Sequence, residues 1–245
     1  MFGQLFRKPR PTLPPGERVY AIGDVHGRLD LLNQLFEMIR ADHAARADAR
    51  ALVVLLGDLI DRGPDSRGVV ERIRQGLDWA RTIPLMGNHE AAMLNALEGS
   101  GEQLQAWLRV GGNTSLVSWG VAADLLATGT RDAILAAARA AIPLEDRGWI
   151  GRLRTHLQLG DYYFVHAGVR PGIPLYQQAV EDNLWIRDAF LESRRHHGAM
   201  IVHGHSVRAE VEERPNRIGI DTGAYASDRL TALGIEGQAR WILST

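Results

Sequence analysis

The sequence predicts an α/β fold, a β core with helices on its outside. Three observations predict it. Apolar runs of strand length end abruptly in Gly or polar turns, as buried strands do. Helical apolar spacing follows the first three of them, which indicates parallel strands joined by helices. The last third of the chain is then a succession of short apolar runs with little helical spacing. Taken in order, "RVYAIGDVHGRLDLLNQLFEMIRA" reads as strand, turn and helix, with Leu29, Leu32, Leu35, Phe36 and Ile39 on one helix face. "ALVVLLGDLIDRGPDSRGVVERIRQGL" and "TIPLMGNHEAAMLNALEG" repeat the device.

Residues 98–158 differ in texture and are expected to form a helical insertion on this body. "EQLQAWLRV" and "RDAILAAARAAIP" read as its helices, the second stopping at Pro143. "GGNTSLVSWG" between them reads as a glycine-bounded connection, and Trp107, Trp119 and Trp149 as helix packing. "DYYFVHAGV", "AMIVHGHSV", "NRIGIDTGA", "RLTALGIEG" and "ARWILST" read as strands, the final three close enough for an antiparallel meander. Residues 1–16, rich in Pro, Arg and Lys, read as a flexible lead-in to a single domain over 17–245.

Composition narrows the chemistry. The 245 residues, 45% hydrophobic, suffice for a full core. The net charge of −1 gives no bulk attraction to nucleic acid or an acidic membrane, so neither is an expected partner. With no cysteine, disulfides, thiolate zinc sites and a cysteine nucleophile are excluded, and any metal must be held by oxygen and imidazole nitrogen. No run approaches the roughly 20 apolar residues of a membrane span, and the start lacks the apolar segment of a secretory signal. A cytoplasmic location is the expectation.

The polar residues gather in one kind of place. Asp24 and His26; Asp58, Asp61 and Arg62; Asn88, His89 and Glu90; His166; and His203 with His205 each fall just past a predicted strand. That is where open α/β sheets build their sites. Each cluster alone has an ordinary explanation: Asp24 or Asp30 as a helix cap, His166 as a core imidazole, His203 and His205 as loop flanks. His43, His156, His196 and His197 read as surface residues. Together, five strand ends carry Asp, His or Asn, the ligand types of divalent metals held without sulfur. Asp58 and Asp61 would repel at close range unless a cation lay nearby. The inventory suits two ions that share one carboxylate.

"GDVHG" (23–27), "GDLIDRG" (57–63) and "GNHE" (87–90) resemble the three signature blocks of the calcineurin-like metallophosphoesterases. More narrowly they resemble the phosphoprotein phosphatase type of bacteria and phages. "VHAG" (165–168) and "HGHS" (203–206) are similar to the later histidine blocks, so the likeness spans about 18–223. It implies a central β-sandwich of two mixed sheets flanked by helices. It also implies that Asp24, His26 and Asp58 hold one divalent ion, and that Asp58, Asn88, His166 and His205 hold a second. Asp58 would bridge them, with His203 a neighbour of the site. Manganese is the first expectation for the ions, with iron or zinc as others.

By the same resemblance, a water between the ions attacks the phosphorus in line, and His89, oriented by Asp61, protonates the leaving oxygen. Arg62, and Arg187 in "LWIRD" (184–188), grip the phosphoryl oxygens. The implied activity is a Ser/Thr phosphoprotein phosphatase. A symmetrical diadenosine tetraphosphate hydrolase is the alternative, since "IDTGAYASDRLTAL" is faintly similar to those enzymes' C-terminal segment. A nuclease and a non-catalytic binding module rank lower. Two departures bear on substrate choice. The 98–158 block has no obvious counterpart in the eukaryotic phosphatases, and "GIDTGAY" (219–225) replaces a different loop there.

Overall fold

The computed structural model describes residues 10–245. Two five-stranded mixed sheets pack face to face, with helices covering both outer faces. In the first sheet, β1 (Glu17–Ile22), β2 (Arg50–Leu55) and β3 (Arg81–Pro84) run parallel. The hairpin of β9 (Thr231–Glu236) and β10 (Ala239–Ser244) extends the sheet antiparallel beside β1. In the second sheet, β5 (Tyr162–Val165), β6 (Met200–His203) and β8 (Arg217–Gly219) run parallel. Antiparallel β4 (His156–Leu159) and β7 (Glu212–Glu213) form its edges.

Alternation along the strands builds the layers. Val19, Ala21, Leu52 and Val54 face inward against Tyr162, Phe164, Val202 and Ile218 of the other sheet. Tyr20, Ile22, Val53 and Leu55 face outward onto α1 (Leu29–Ala44), α2 (Ser66–Gln75) and α3 (Asn88–Glu98). Helix α1 is held by Leu31, Leu32, Leu35, Phe36 and Ile39, each contributing about 1.5–3 kcal/mol on burial. Four of these are the residues read from the spacing, while Leu29, at the first helical position, is only partly buried and Leu31 takes its place. Its N-terminus carries no side-chain cap, so neither Asp24 nor Asp30 has that role. Val165, Ile201 and Phe190 form the smaller outer core of the second sheet.

Between α3 and β4 the chain is mostly helical and packs onto the outer core of the first sheet; residues 156–158, placed in the helical block by the sequence, belong to strand β4. The helical part comprises α4 (Gly101–Trp107), α5 (Asn113–Ser118), α6 (Ala123–Thr128), α7 (Arg131–Ala141) and α8 (Leu144–Ile150). Two further local expectations are corrected. "GGNTSLVSWG" is not a plain connection: α4 runs through a wide turn at Leu108–Gly112 into α5. Buried Ser115 and Leu116 hold that short helix despite its poor helix formers. The final three runs are no meander, because β8 joins the second sheet parallel to β6 and only β9 and β10 form a hairpin. Segment 220–230 must cross between the sheets, which brings it past the site.

The expected lead-in lies partly outside the described residues. Its described part is packed: Leu13 is buried and its amide donates to the Gly237 carbonyl at 3.0 Å. Among the described residues, no helix is long and apolar enough to cross a membrane.

Candidate metal centre

All six parallel strands, three from each sheet, end at one place. The loops after β1, β2, β3, β5, β6 and β8 bring Asp24 and His26, Asp58 and Asp61, Asn88 and His89, His166, His205, and Asp221 together, nearly all of them buried. Close packing of these loops depends on glycine. A Cβ at Gly87 would collide with the Asp58 carboxylate, and one at Gly204 with that of Asp24. The backbone is strained where it turns: His26, Asp58, Asp61, Arg62 and His205 all have positive φ, and only Asp228 joins them among described non-glycine residues. Such conformations cost about 1–3 kcal/mol each and persist where the surroundings force them, typically at functional sites.

Two groups of ligand atoms share Asp58. His26, Asp58 and His89 form one and Asp58, His166 and His205 the other, with all atoms of each group within 4.8 Å. The Asp58 Oδ2 lies 3.6 Å from His26 Nε2, and Oδ1 lies 3.4 Å from His166 Nε2. Tautomers follow from the other ring nitrogens. His26 Nδ1 meets the Ile60 carbonyl at 2.8 Å and His166 Nδ1 the Leu56 carbonyl at 2.9 Å. A carbonyl only accepts, so those nitrogens carry the protons and both Nε2 atoms present lone pairs.

Asn88 Oδ1 at 2.8 Å and the Asp58 Oδ1 oxygen thus face the His166 Nε2 lone pair as acceptors, with His205 Nδ1 at 3.2 Å beside them. The buried His205 Nε2 has no partner of its own. This donor set fits a divalent cation, and no sulfur is needed.

Charge follows the same pattern. Burial pushes the His26 and His205 imidazoles down to about 3, so both are neutral and free to ligate. Burial also works to raise the Asp58 carboxyl, but His166, His89 and His26 outweigh it and hold it below the usual carboxylate range. Burial, with Asp221 and Asp58 nearby, holds Asp24 well above that range. Burial likewise lifts Asp221 to about 6. The acids that face each other are those whose charged forms a cation would favour.

Every residue expected at the site is in or beside it. Asp24 lies beside the two groups without joining either, its carboxylate accepting from the His205 amide at 3.0 Å, and His89 stands with His26 and Asp58 where Asp24 was expected. His203 turns away: its Nδ1 meets the Gly204 carbonyl at 3.0 Å and its ring packs edge-on against Phe190. Arg62 donates to His26 Nε2 at 2.9 Å and His89 Nε2 at 3.1 Å. Exposed Arg187 lies near enough for its charge to lower both His166 and His205. His89 Nδ1 lies 2.7 Å from Asp61 Oδ2. Burial alone would lower that imidazole, yet Asp58 and Asp61 together raise it.

Two residues and the role of a third escaped the sequence reading. Asp221 obeys the strand-end rule, following β8, and that rule applied to "GID" would have found it. Tyr225 stands at the mouth, half-exposed, edge-on to His26 at 5.3 Å with the Arg62 guanidinium 4.7 Å above its ring. Glu90, noted within "GNHE", is an anchor. Fully buried, it accepts from the amides of Gly87 at 2.8 Å, Asp58 at 3.0 Å, Leu59 at 2.8 Å and Ile60 at 3.2 Å. Glu90→Gln turns an N–H₂ toward those donors and should cost about 1–3 kcal/mol for the stranded groups. Thermal unfolding checks this, and ion retention should weaken in parallel because the clamp holds the Asp58 turn.

Carboxylates and imidazoles grouped around one shared acid, with an imidazole–carboxylate pair alongside, define a metal-dependent hydrolase type of centre. The chain belongs to the calcineurin-like phosphoesterase family, whose pattern matches residues 17–232. A symmetrical bis(5'-nucleosyl)-tetraphosphatase of Nitrosospira multiformis is 26% identical over 162 residues, 66% of this chain and 47% of that one. Serine/threonine-protein phosphatase 1 of Salmonella typhimurium is 37% identical over 95 residues, 39% of each chain. The matched segments span less than half the length of these relatives. A crystal structure provisionally described as that of a diadenosine tetraphosphatase superposes with a TM-score of 0.64 at 20% identity, covering 96% of this chain and 98% of the other. At that identity the likeness shows the fold alone: an α/β sandwich of two mixed sheets flanked by helices.

Proposed function

We propose that this protein is a cytoplasmic, metal-dependent Ser/Thr phosphoprotein phosphatase, a phosphomonoesterase that uses a pair of divalent ions. The observation that supports it best is the sharing of Asp58 by two ligand groups, one of which includes His89, itself paired with Asp61 at 2.7 Å; the reading gives His89 to the proton and puts neighbouring Asp24 in its place about the ion. On this reading Asp24, His26 and Asp58 hold one ion, and Asp58, Asn88, His166 and His205 the other. Manganese is the first choice, with iron, zinc or another divalent ion as alternatives that the same oxygen and imidazole donors would accept. When bound, such ions neutralise phosphoryl oxygens and lower the pKa of a water.

The protein's own groups do the rest. Arg62 and Arg187 offer guanidinium forks to the remaining phosphoryl oxygens, a geometry that suits planar bidentate donors. For that, Arg62 swings out from between the His26 and His89 rings. His89 Nε2, freed of Arg62, then delivers a proton to the leaving oxygen, while Asp61 fixes the ring through Nδ1 and favours its protonated form.

A second reading keeps the centre and changes the substrate to a symmetrical dinucleoside tetraphosphate. Tyr225 favours it, because an exposed ring under Arg62 offers a face to a nucleobase. The test is a substrate panel run on protein first stripped by chelation and then reloaded with manganese. Reload-dependent release of phosphate from a phosphoserine or phosphothreonine peptide, with diadenosine tetraphosphate untouched, is the expected result. Clean release of ADP from the dinucleotide favours the second reading. Full activity after metal removal would overturn both.

A further inference from the structure

We propose that Trp107 and Ser115, both on the helical segment, are positioning residues for the proton donor His89, acting through Asp61. The inference rests on the reading of His89 as the acid. Asp61 is fully buried, and its carboxylate accepts three hydrogen bonds. His89 Nδ1–H reaches Oδ2 at 2.7 Å, the Trp107 indole N–H reaches the same oxygen at 2.8 Å, and the Ser115 hydroxyl reaches Oδ1 at 2.5 Å. The Asp61 amide in turn donates to Ser66 Oγ and Ser115 Oγ, each at 2.9 Å. Trp107 and Ser115 are themselves without solvent exposure, so no water can replace either donor.

The segment is shaped to make these contacts. At Gly111, φ is 119° and the backbone breaks the helical run. The Gly111 carbonyl accepts from the Arg62 amide at 3.3 Å, and a side chain there would press on Arg62. Gly112 lies flat against the indole, where any Cβ would collide with the Trp107 ring. The turn from α4 into α5 thus places one donor on each Asp61 oxygen. Such partners fix a carboxylate's rotamer and hence the direction of the imidazole it holds. Packing alone would not require an indole N–H and a hydroxyl on opposite oxygens of one acid.

The consequence is specific to protonation of the leaving group. An activated aryl phosphate, p-nitrophenyl phosphate, departs with little help from an acid, whereas an alkyl phosphate needs the proton. In manganese-loaded protein, Trp107→Phe and Ser115→Ala should each lower kcat/KM on a serine-type alkyl phosphate by about 10–100-fold, the usual worth of an orienting partner. On p-nitrophenyl phosphate the loss should stay within about three-fold, with metal content unchanged. Ser115→Ala removes little volume and serves if Trp107→Phe folds poorly. Equal losses on both substrates, or none on either, would overturn the positioning role. His89→Asn run alongside separates the layers: if its own loss ignores the leaving group, the acid reading itself is what fails.

Discussion

Replacing Asp58 by Asn will strip the protein of its ions and of its hydrolytic activity together. Asp58 is the one side chain common to both ligand groups, with Oδ2 facing His26 and Oδ1 facing His166. Asn retains the size, the left-handed backbone that Asp58 adopts at φ 47°, and one acceptor. It loses the charge and puts an N–H₂ where one of the two groups needs a lone pair. An orienting partner outside the ligand set commonly costs 10–100-fold in metal affinity, so a shared ligand should cost more than about 100-fold. Elemental analysis after dialysis, paired with turnover at fixed manganese, reads both quantities. A variant that keeps its full metal complement and near-normal turnover would remove Asp58 from the bridging position.

The second large effect is at His89. His89→Asn should leave metal content intact and lower turnover of an alkyl phosphate by about 10²–10⁴, the range for a positioned acid. Structure separates the two variants. Asp58 is common to both ligand groups, whereas His89 belongs to one of them and has both ring nitrogens engaged, Nδ1 with Asp61 and Nε2 with Arg62, which on the proposed reading leaves it to the proton and not to an ion. Asn at 89 cannot reach both. Its loss should exceed those of Trp107→Phe and Ser115→Ala, since it removes the donor and not merely its alignment. Near wild-type turnover on a poor leaving group would end the assignment.

The strand-end clusters were legible because they obey two local rules at once. A continuous apolar run such as "VVLL" announces a buried strand, and Asp58 directly after it announces a charged group at a buried edge. That logic located residues from five loops without any long-range information. Asp221 follows the same rule, but the strand before it reads as part of a meander with the last two strands, which sets it apart from the other strand ends. The roles of Trp107 and Ser115 were illegible for another reason. A tryptophan at helical spacing looks the same whether its N–H finds a core acid or a distant catalytic one. Only the fold brings residues 61 and 107 within 2.8 Å. The placement of β8 was misread because sequence proximity to β9 favours a hairpin, while the backbone of 220–230 was needed to cross from one sheet to the other.

The even division of the site between the two sheets sets an order of events for the newly made chain. Asp24 and His205 stand 181 positions apart, yet the amide of one meets the carboxylate of the other at 3.0 Å. Contacts of such separation close late, after the nearer pairings have formed. A polypeptide still emerging from the ribosome can lay down the β1–β2–β3 layer with Asp24, Asp58 and Asn88 in place. It has nothing to match them with until residue 205 is out. The full ligand set therefore exists only once the two sheets have docked.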